Sequence, residues 1–276
     1  MPKLPPGAPP VVQVGRRAEG GTSAVTPVKS ADRAIDVLEL LAAQARSMTL
    51  SEIHRHLGAP KSSLHGLLQT LVARGWVQTD ERGTSYGIGL RALQVGVAYV
   101  ERDPVVQAAT QVLVSLRREL DETVQLGRID GADIVYLASR ESQHHLRVAS
   151  RIGRRVPAHS SALGKALLAT MPWAEVDRVL PRKLSTLTRN TVATRKDLRA
   201  ELEEIEVRGW AEERGQGTPG LGCLAVAIPA VDGPSRDAIS CSLPLVRMTD
   251  EHITEIVDNL ARAVIEIEAR TNTSLR

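Results

Sequence analysis

The sequence predicts an α+β protein in two parts: a small winged helix-turn-helix, then a larger domain of alternating strands and helices. Three observations predict it. Residues 30–88 run helix, helix, tight turn, helix and β-hairpin. Residues 103–276 interleave apolar strand-like runs with amphipathic helices and carry no Gly-rich phosphate fingerprint. Between them, the helical stretch 90–102 ends at Asp103-Pro104, a break in any helix.

A chain of 276 residues can bury two cores. With no Phe, three Trp and three Tyr, those cores must be built from Leu, Val, Ile and Ala, and stacking on single-stranded nucleic acid has few rings to use. No apolar run approaches a membrane span, and residues 1–28 lack the apolar centre of a signal peptide, so the expected location is the cytoplasm. Residues 1–100 carry a net charge of +4 and residues 101–276 a net of −1, a weak bias toward a polyanion at the front end.

Residues 1–28 are rich in Pro and Gly without a period and read as a disordered arm. The domain at 29–89 begins with SADRAIDVLELLAAQ, where Ala34, Val37, Leu38 and Leu41 share a face. TLSEIHRHL follows, with Thr49 and Glu52 spaced as a capping box and Gly58 as its stop. After Gly-Ala-Pro comes KSSLHGLLQTLVARG, where Leu64, Leu67, Leu68, Leu71 and Val72 form one stripe. WVQTD and SYGIG, joined by ERGT, predict the hairpin. Beyond the linker helix at 90–102, the domain at 103–276 opens with a helix to about Asp121. TVQLGRI and DIVYLAS are strands around Asp130-Gly131-Ala132, and HSSALGKALLATM is a helix. Thr194 with Asp197 opens the helix DLRAELEEIEVRGW. CLAVAIPAV and DAISCSL are strands, and Ile253, Ile256, Val257, Leu260 and Val264 stripe a closing helix.

Opposite its leucines, the third helix carries Ser62, Ser63, His65, Gly66 and Gln69, small or neutral polar residues where a solvated face would mix Glu and Lys. Such a face enters a major groove without collision, and Ser62, Ser63, His65 and Gln69 can hydrogen-bond base edges. Lys61 at the helix start suits a phosphate, and Arg82 on the wing suits the backbone or minor groove.

The run LGAPKSSLHGLLQTLVARGWVQTDERGTSYGIGLRALQVG resembles the DNA-binding domain of IclR-family transcriptional regulators, through Pro60, Lys61, Ser62, Leu67, Leu68, Leu71, Gly75 and Val77. Gly66 stands where that family frequently has Arg. RRVPAHSSALGKALLATM, LSTLTRNTVATRKDLRAELEEIEVRGWAEE, GLGCLAVAIPAVDG and AISCSLPLVRMT resemble later segments of the same family, so the likeness spans about residues 30–270. It implies a GAF-like C-terminal domain, with a mixed or antiparallel sheet flanked by helices, that binds a small effector; the helix start near Ser160, Ser161, Ala162 and Leu163, with its free backbone N–H groups, suits a carboxylate on that effector. It implies as effector contacts the amides of Ala162 and Leu163 with Glu213, Cys223, Ser240 and Ser242. Gly215 and Gln216 replace two acids usual in the family, so the loop there should be reshaped. Double-stranded operator DNA and a homodimer or tetramer are the implied partners; no cofactor and no membrane are.

Other readings exist for several residues. Cys223 also fits a buried apolar position, Ser240 and Ser242 a solvated sheet face, and Lys165 a structural tie to an acid or carbonyl. The basic run His144, His145, Arg147, Arg151, Arg154 and Arg155 fits a solvated surface or a field for an anion. A hydrolase using Cys223 or a serine would need a base such as His159 or His252, and no nucleophile-elbow pattern surrounds either candidate. A metal site on Cys223, Cys241 and a histidine lacks short ligand spacing. The expectation is therefore a regulator and not an enzyme, with no metal.

Overall fold

The computed structural model describes residues 28–149 and 152–274. The arm expected at 1–28 lies outside these except for Val28, as does Arg151. The chain divides into two compact units that meet between Tyr99 and Val100.

In the first unit, α1 (Lys29–Ala43), α2 (Leu50–Leu57) and α3 (Lys61–Ala73) enclose a core of Val37, Leu41, Ile53, Leu64, Leu68 and Leu71. The capping box starts α2: Thr49 Oγ1 accepts from Glu52 N at 3.3 Å, and Glu52 Oε2 accepts from Thr49 N at 2.8 Å. Arg46 joins that box, and its hydrogen bond is the chief reason the Glu52 carboxyl is pulled down to about 2. A folded value below the unfolded one means the interaction is fully present above the ordinary carboxylate range and is lost as pH falls toward 2. Gly58, at φ 65°, ends α2 in the left-handed region that a side chain disfavours.

α3 ends when Gly75 turns left-handed and Trp76 N donates back to Leu71 O at 2.9 Å. The wing is β2 (Val77–Thr79) and β3 (Ser85–Ile88), antiparallel, with β1 (Met48–Thr49) added on the far side of β3. Asp80 folds its turn by accepting from Thr84 N at 2.7 Å and Ser85 N at 3.0 Å. A Cβ on Gly89 would sit 2.3 Å from Gly75 O, so this glycine lets β3 close on the end of α3. There α4 (Leu90–Arg102) begins, with Arg91 N donating to Gly75 O at 3.1 Å.

The second unit is built on a six-stranded antiparallel sheet of order β6-β5-β4-β9-β8-β7. Its strands are β4 (Thr123–Asp130), β5 (Asp133–Arg140), β6 (Arg155–Pro157), β7 (Ala211–Arg214), β8 (Leu221–Ile228) and β9 (Asp237–Pro244). All five pairings are antiparallel, which narrows the mixed-or-antiparallel expectation. Period-two alternation sorts the side chains. Val124, Leu126, Leu224, Ile239, Cys241 and Leu243 face α5 (Pro104–Leu120) and α9 (Asp250–Ser274). Cys223, Ala225 and Ala238 face the side of α6 (Ala162–Leu168), α7 (Trp173–Val179) and α8 (Arg195–Arg208). Thr194 caps α8, accepting from Asp197 N at 3.1 Å. Gly164 is required where α6 crosses the preceding turn, because a Cβ there would lie 2.1 Å from Ala158 O.

Candidate nucleic-acid interface and effector site

The third helix separates its faces cleanly. Leu64, Leu68 and Leu71 are buried, Leu67 and Val72 half-buried, and Ser62, Ser63, His65, Gly66 and Gln69 exposed. The side chains of His65 and Gln69 have no hydrogen bond within the protein among the described residues. Ser63 Oγ, in contrast, accepts from Arg33 Nη1 of α1 at 2.5 Å, and Lys61 Nζ donates to Ser51 Oγ of α2 at 3.1 Å. The exposed face thus includes Arg33, which the sequence reading missed; only the packing of α1 on α3 reveals it. Pro60 gives α3 no side-chain cap and its first turn holds no acid, so its leading N–H groups remain available to an anion. Arg82 is exposed on the tip of the wing.

Gly66 is not a packing glycine. Nothing lies within 4 Å of a Cβ built there, and its φ is ordinary. Gly66→Arg should therefore fold, gain about 0.5–1 kcal/mol from helix propensity, and add one cation to the exposed face. Fluorescence titration on duplex DNA across salt should show the log K versus log salt slope steepen by about 0.9.

In the second unit four polar side chains converge on the sheet face that α6 covers. The register aligns Cys223 with Ser242, and Ser240 with Gln125. Gln125 Oε1 accepts from Ser240 Oγ at 2.9 Å and Ser242 Oγ at 3.0 Å, while Ser242 Oγ lies 3.2 Å from Cys223 Sγ. A hydroxyl has one proton, so when Ser242 donates to Gln125 it accepts from the thiol. The thiol keeps its proton: burial, reinforced by the negative charge of Glu213, pushes Cys223 up to about 12. All four residues are buried, which excludes a solvated face for the serines. Gln125 was not singled out from sequence; a lone amide inside the apolar strand TVQLGRI was its signal. Tyr136 is the other addition. Burial, with help from Cys223 and Glu213, holds its phenol well above the ordinary value.

Glu213 pairs with Cys223 across β7 and β8. Its Oε2 accepts from Gln216 N at 2.7 Å and Gly217 N at 3.4 Å, and burial raises its carboxyl above the ordinary value despite those bonds. Glu213 thereby holds the loop 215–220 from below. The Thr-rich segment holds it from the side: Thr188 Oγ1 donates to Gly215 O at 2.6 Å and Thr191 Oγ1 to Gln216 O at 2.7 Å. Lys165, fully buried, donates to Glu201, to Glu212 O at 2.6 Å and to Gln216 Oε1 at 3.0 Å. It is a structural tie, and Gln216, standing for an acid usual in the resembled family, is one end of it. Ala162 and Leu163 open α6 behind Ser161, whose Oγ accepts from Gly164 N at 3.1 Å. No acceptor for the Ala162 or Leu163 N–H is present among the described residues.

The other candidate chemistries find little support. His159 Nε2 lies 2.9 Å from Ser185 O, and His252 pairs with Glu255, so neither ring addresses Cys223. Cys223 and Cys241 are on adjacent registers and project to opposite faces of the sheet, so one ion cannot join them. In the basic run, Arg147 is paired with Glu141, and Arg155 with Asp130 and Asp133.

Residues 97–269 match the family model described as "Bacterial transcriptional regulator IclR C-terminal", and residues 30–81 that described as "IclR helix-turn-helix domain". The chain is 31% identical over 254 residues to the HTH-type transcriptional regulator BhcR of Paracoccus denitrificans, covering 92% of this chain and 91% of that one. Among solved structures, an IclR transcriptional regulator from Alicyclobacillus acidocaldarius superposes with a TM-score of 0.80 at 24% identity, over 89% of this chain and 99% of that one. An IclR homologue from Microbacterium hydrocarbonoxydans, crystallised with 4-hydroxybenzoate, superposes with a TM-score of 0.76 at 22% identity, over 88% and 99%.

Proposed function

Since the chain belongs to the IclR family of DNA-binding transcriptional regulators, we propose that α3 reads an operator in the major groove and that a small carboxylate held in the second unit modulates the reading. Ser62, His65 and Gln69 address base edges. Lys61, the open N-terminus of α3, and Arg82 hold phosphates, and Ser63 is steadied by Arg33. Leu90, Leu93 and Val97, exposed apolar residues on one face of α4, form a seam for a second copy, which gives a palindromic site. Two such dimers would make a tetramer. The place of action is the cytoplasm, where the DNA is; no helix among the described residues is long and apolar enough to cross a membrane.

One observation carries the effector half. The buried set Gln125, Cys223, Ser240 and Ser242 lies under a helix start whose Ala162 and Leu163 N–H groups lack acceptors. The carboxylate of the effector takes those N–H groups; its other polar groups meet Glu213, the serines and Gln125. The 4-hydroxybenzoate bound by the Microbacterium homologue is a ligand of this kind.

Thermal unfolding with a panel of short-chain and aromatic carboxylates, 4-hydroxybenzoate included, tests this half. A true effector at about a hundredfold excess over Kd stabilises by about 2.7 kcal/mol, and Ser240→Ala removes the shift. No shift from any carboxylate, or one that survives Ser240→Ala, would overturn it.

A further inference from the structure

The strands that form the effector floor carry a second polar device on their other face. Arg128 and Asp237 are a registered pair of β4 and β9, three residues from the Gln125 and Ser240 pair, and face α5. Arg128 grips Asp237 with both arms of its guanidinium, Nε to Oδ1 at 2.7 Å and Nη2 to Oδ2 at 2.9 Å. The same guanidinium reaches Asp103, through Nη1 to Oδ2 and through Nη2 to Oδ1 at 3.1 Å. Asp103 also caps α5: its Oδ1 accepts from Val105 N and Val106 N, each at 3.1 Å. Asp103 is the single residue between α4 and α5. The three side chains are 10–15% exposed, sheltered enough for the pairs to be weakly screened.

We propose that the Asp103–Arg128–Asp237 joint transmits the state of the effector floor to the linker helix α4, with Arg128 as the positioning residue. A ligand that draws on Gln125 or the serines displaces β4 against β9. A strand moves as a stiff unit, so Arg128 and Asp237 shift with it. Arg128 then pulls on Asp103, and the cap of α5 and the exit of α4 move together. Two sites become coupled through a shared joint, as linkage requires. The proposal rests on the effector reading above, yet its test needs neither effector nor DNA.

The test is a double-mutant cycle read by amide hydrogen exchange on the full chain. Gln125→Leu removes the acceptor of both serines and stands in for a disturbed floor. In the wild-type background it should speed exchange at 102–107 by at least about fivefold. In an Arg128→Met background, where the joint is already open, the same change should add less than about twofold. Asp237→Asn provides a second, gentler opening should Arg128→Met fail to fold, and Arg128→Lys should restore part of the coupling. A purely structural Arg128 would give additive effects. Additive exchange rates in both backgrounds, or no response at 102–107 to Gln125→Leu, would overturn the proposal. Loss of the carboxylate shifts with the coupling intact would instead strike the effector reading alone.

Discussion

Lys165→Met is expected to destabilise the second unit by about 3 kcal/mol, the lower end of the range for breaking a buried ion pair, because Glu201 keeps partial contact with water. Methionine fills the space but donates no hydrogen bond. It leaves the Glu201 carboxylate, the Glu212 carbonyl and the Gln216 amide without their shared donor. Glu213, already raised by burial, loses the Lys165 charge that offsets that of Glu201. The loop 215–220 loses its tie through Gln216 and keeps its threonine and Glu213 contacts and the bond from Leu245 N to Gly220 O. Against a total stability of about 5–15 kcal/mol, denaturant melts should show a plainly lower midpoint. Adding Glu201→Leu should recover part of the loss, because it removes the stranded charge. A loss below about 1 kcal/mol for Lys165→Met would show that the tie is idle.

His65→Ala combined with Gln69→Ala should produce the largest functional loss. Each bidentate or groove contact to a base edge is worth about 1–3 kcal/mol of discrimination, so the pair should cost at least tenfold in operator affinity. Both side chains are exposed and unbonded within the protein, so stability should stay within about 0.5 kcal/mol. Neither change removes a permanent charge, so the salt slope should hold. Lys61→Ala should do the opposite, flattening the slope by about 0.9 while weakening all sequences alike. Competition titrations against operator and random duplex separate the two patterns.

The parts of the fold visible in the sequence are those specified locally. The capping box at Thr49 and Glu52, the leucine stripe of α3, the Gly131-Ala132 hairpin and the Thr194 cap all formed where their residues placed them. The missed elements, β1, β6, β7 and α7, are short. β1 and β6 span two and three residues and exist through their partner strands. β7 is written AEER, a charged run no propensity favours as strand; it forms because Glu213 turns inward beneath its own loop. Period-two spacing put Ser240 and Ser242 on one face but left open which face. Only the register with β4 shows that face buried against Gln125. Arg33 and the Arg128 joint were invisible for the same reason, since their partners lie 30 and 109 residues away.

Operator reading by the exposed face of α3 is open to direct test. Capture of sheared genomic DNA at about 0.15 M salt, by the wild-type chain and by the His65→Ala, Gln69→Ala variant side by side, tests it most directly. The wild type should retain a few sharp palindromic sites, lost in the variant while bulk DNA retention stays alike. Diffuse retention that is the same for both proteins would contradict it.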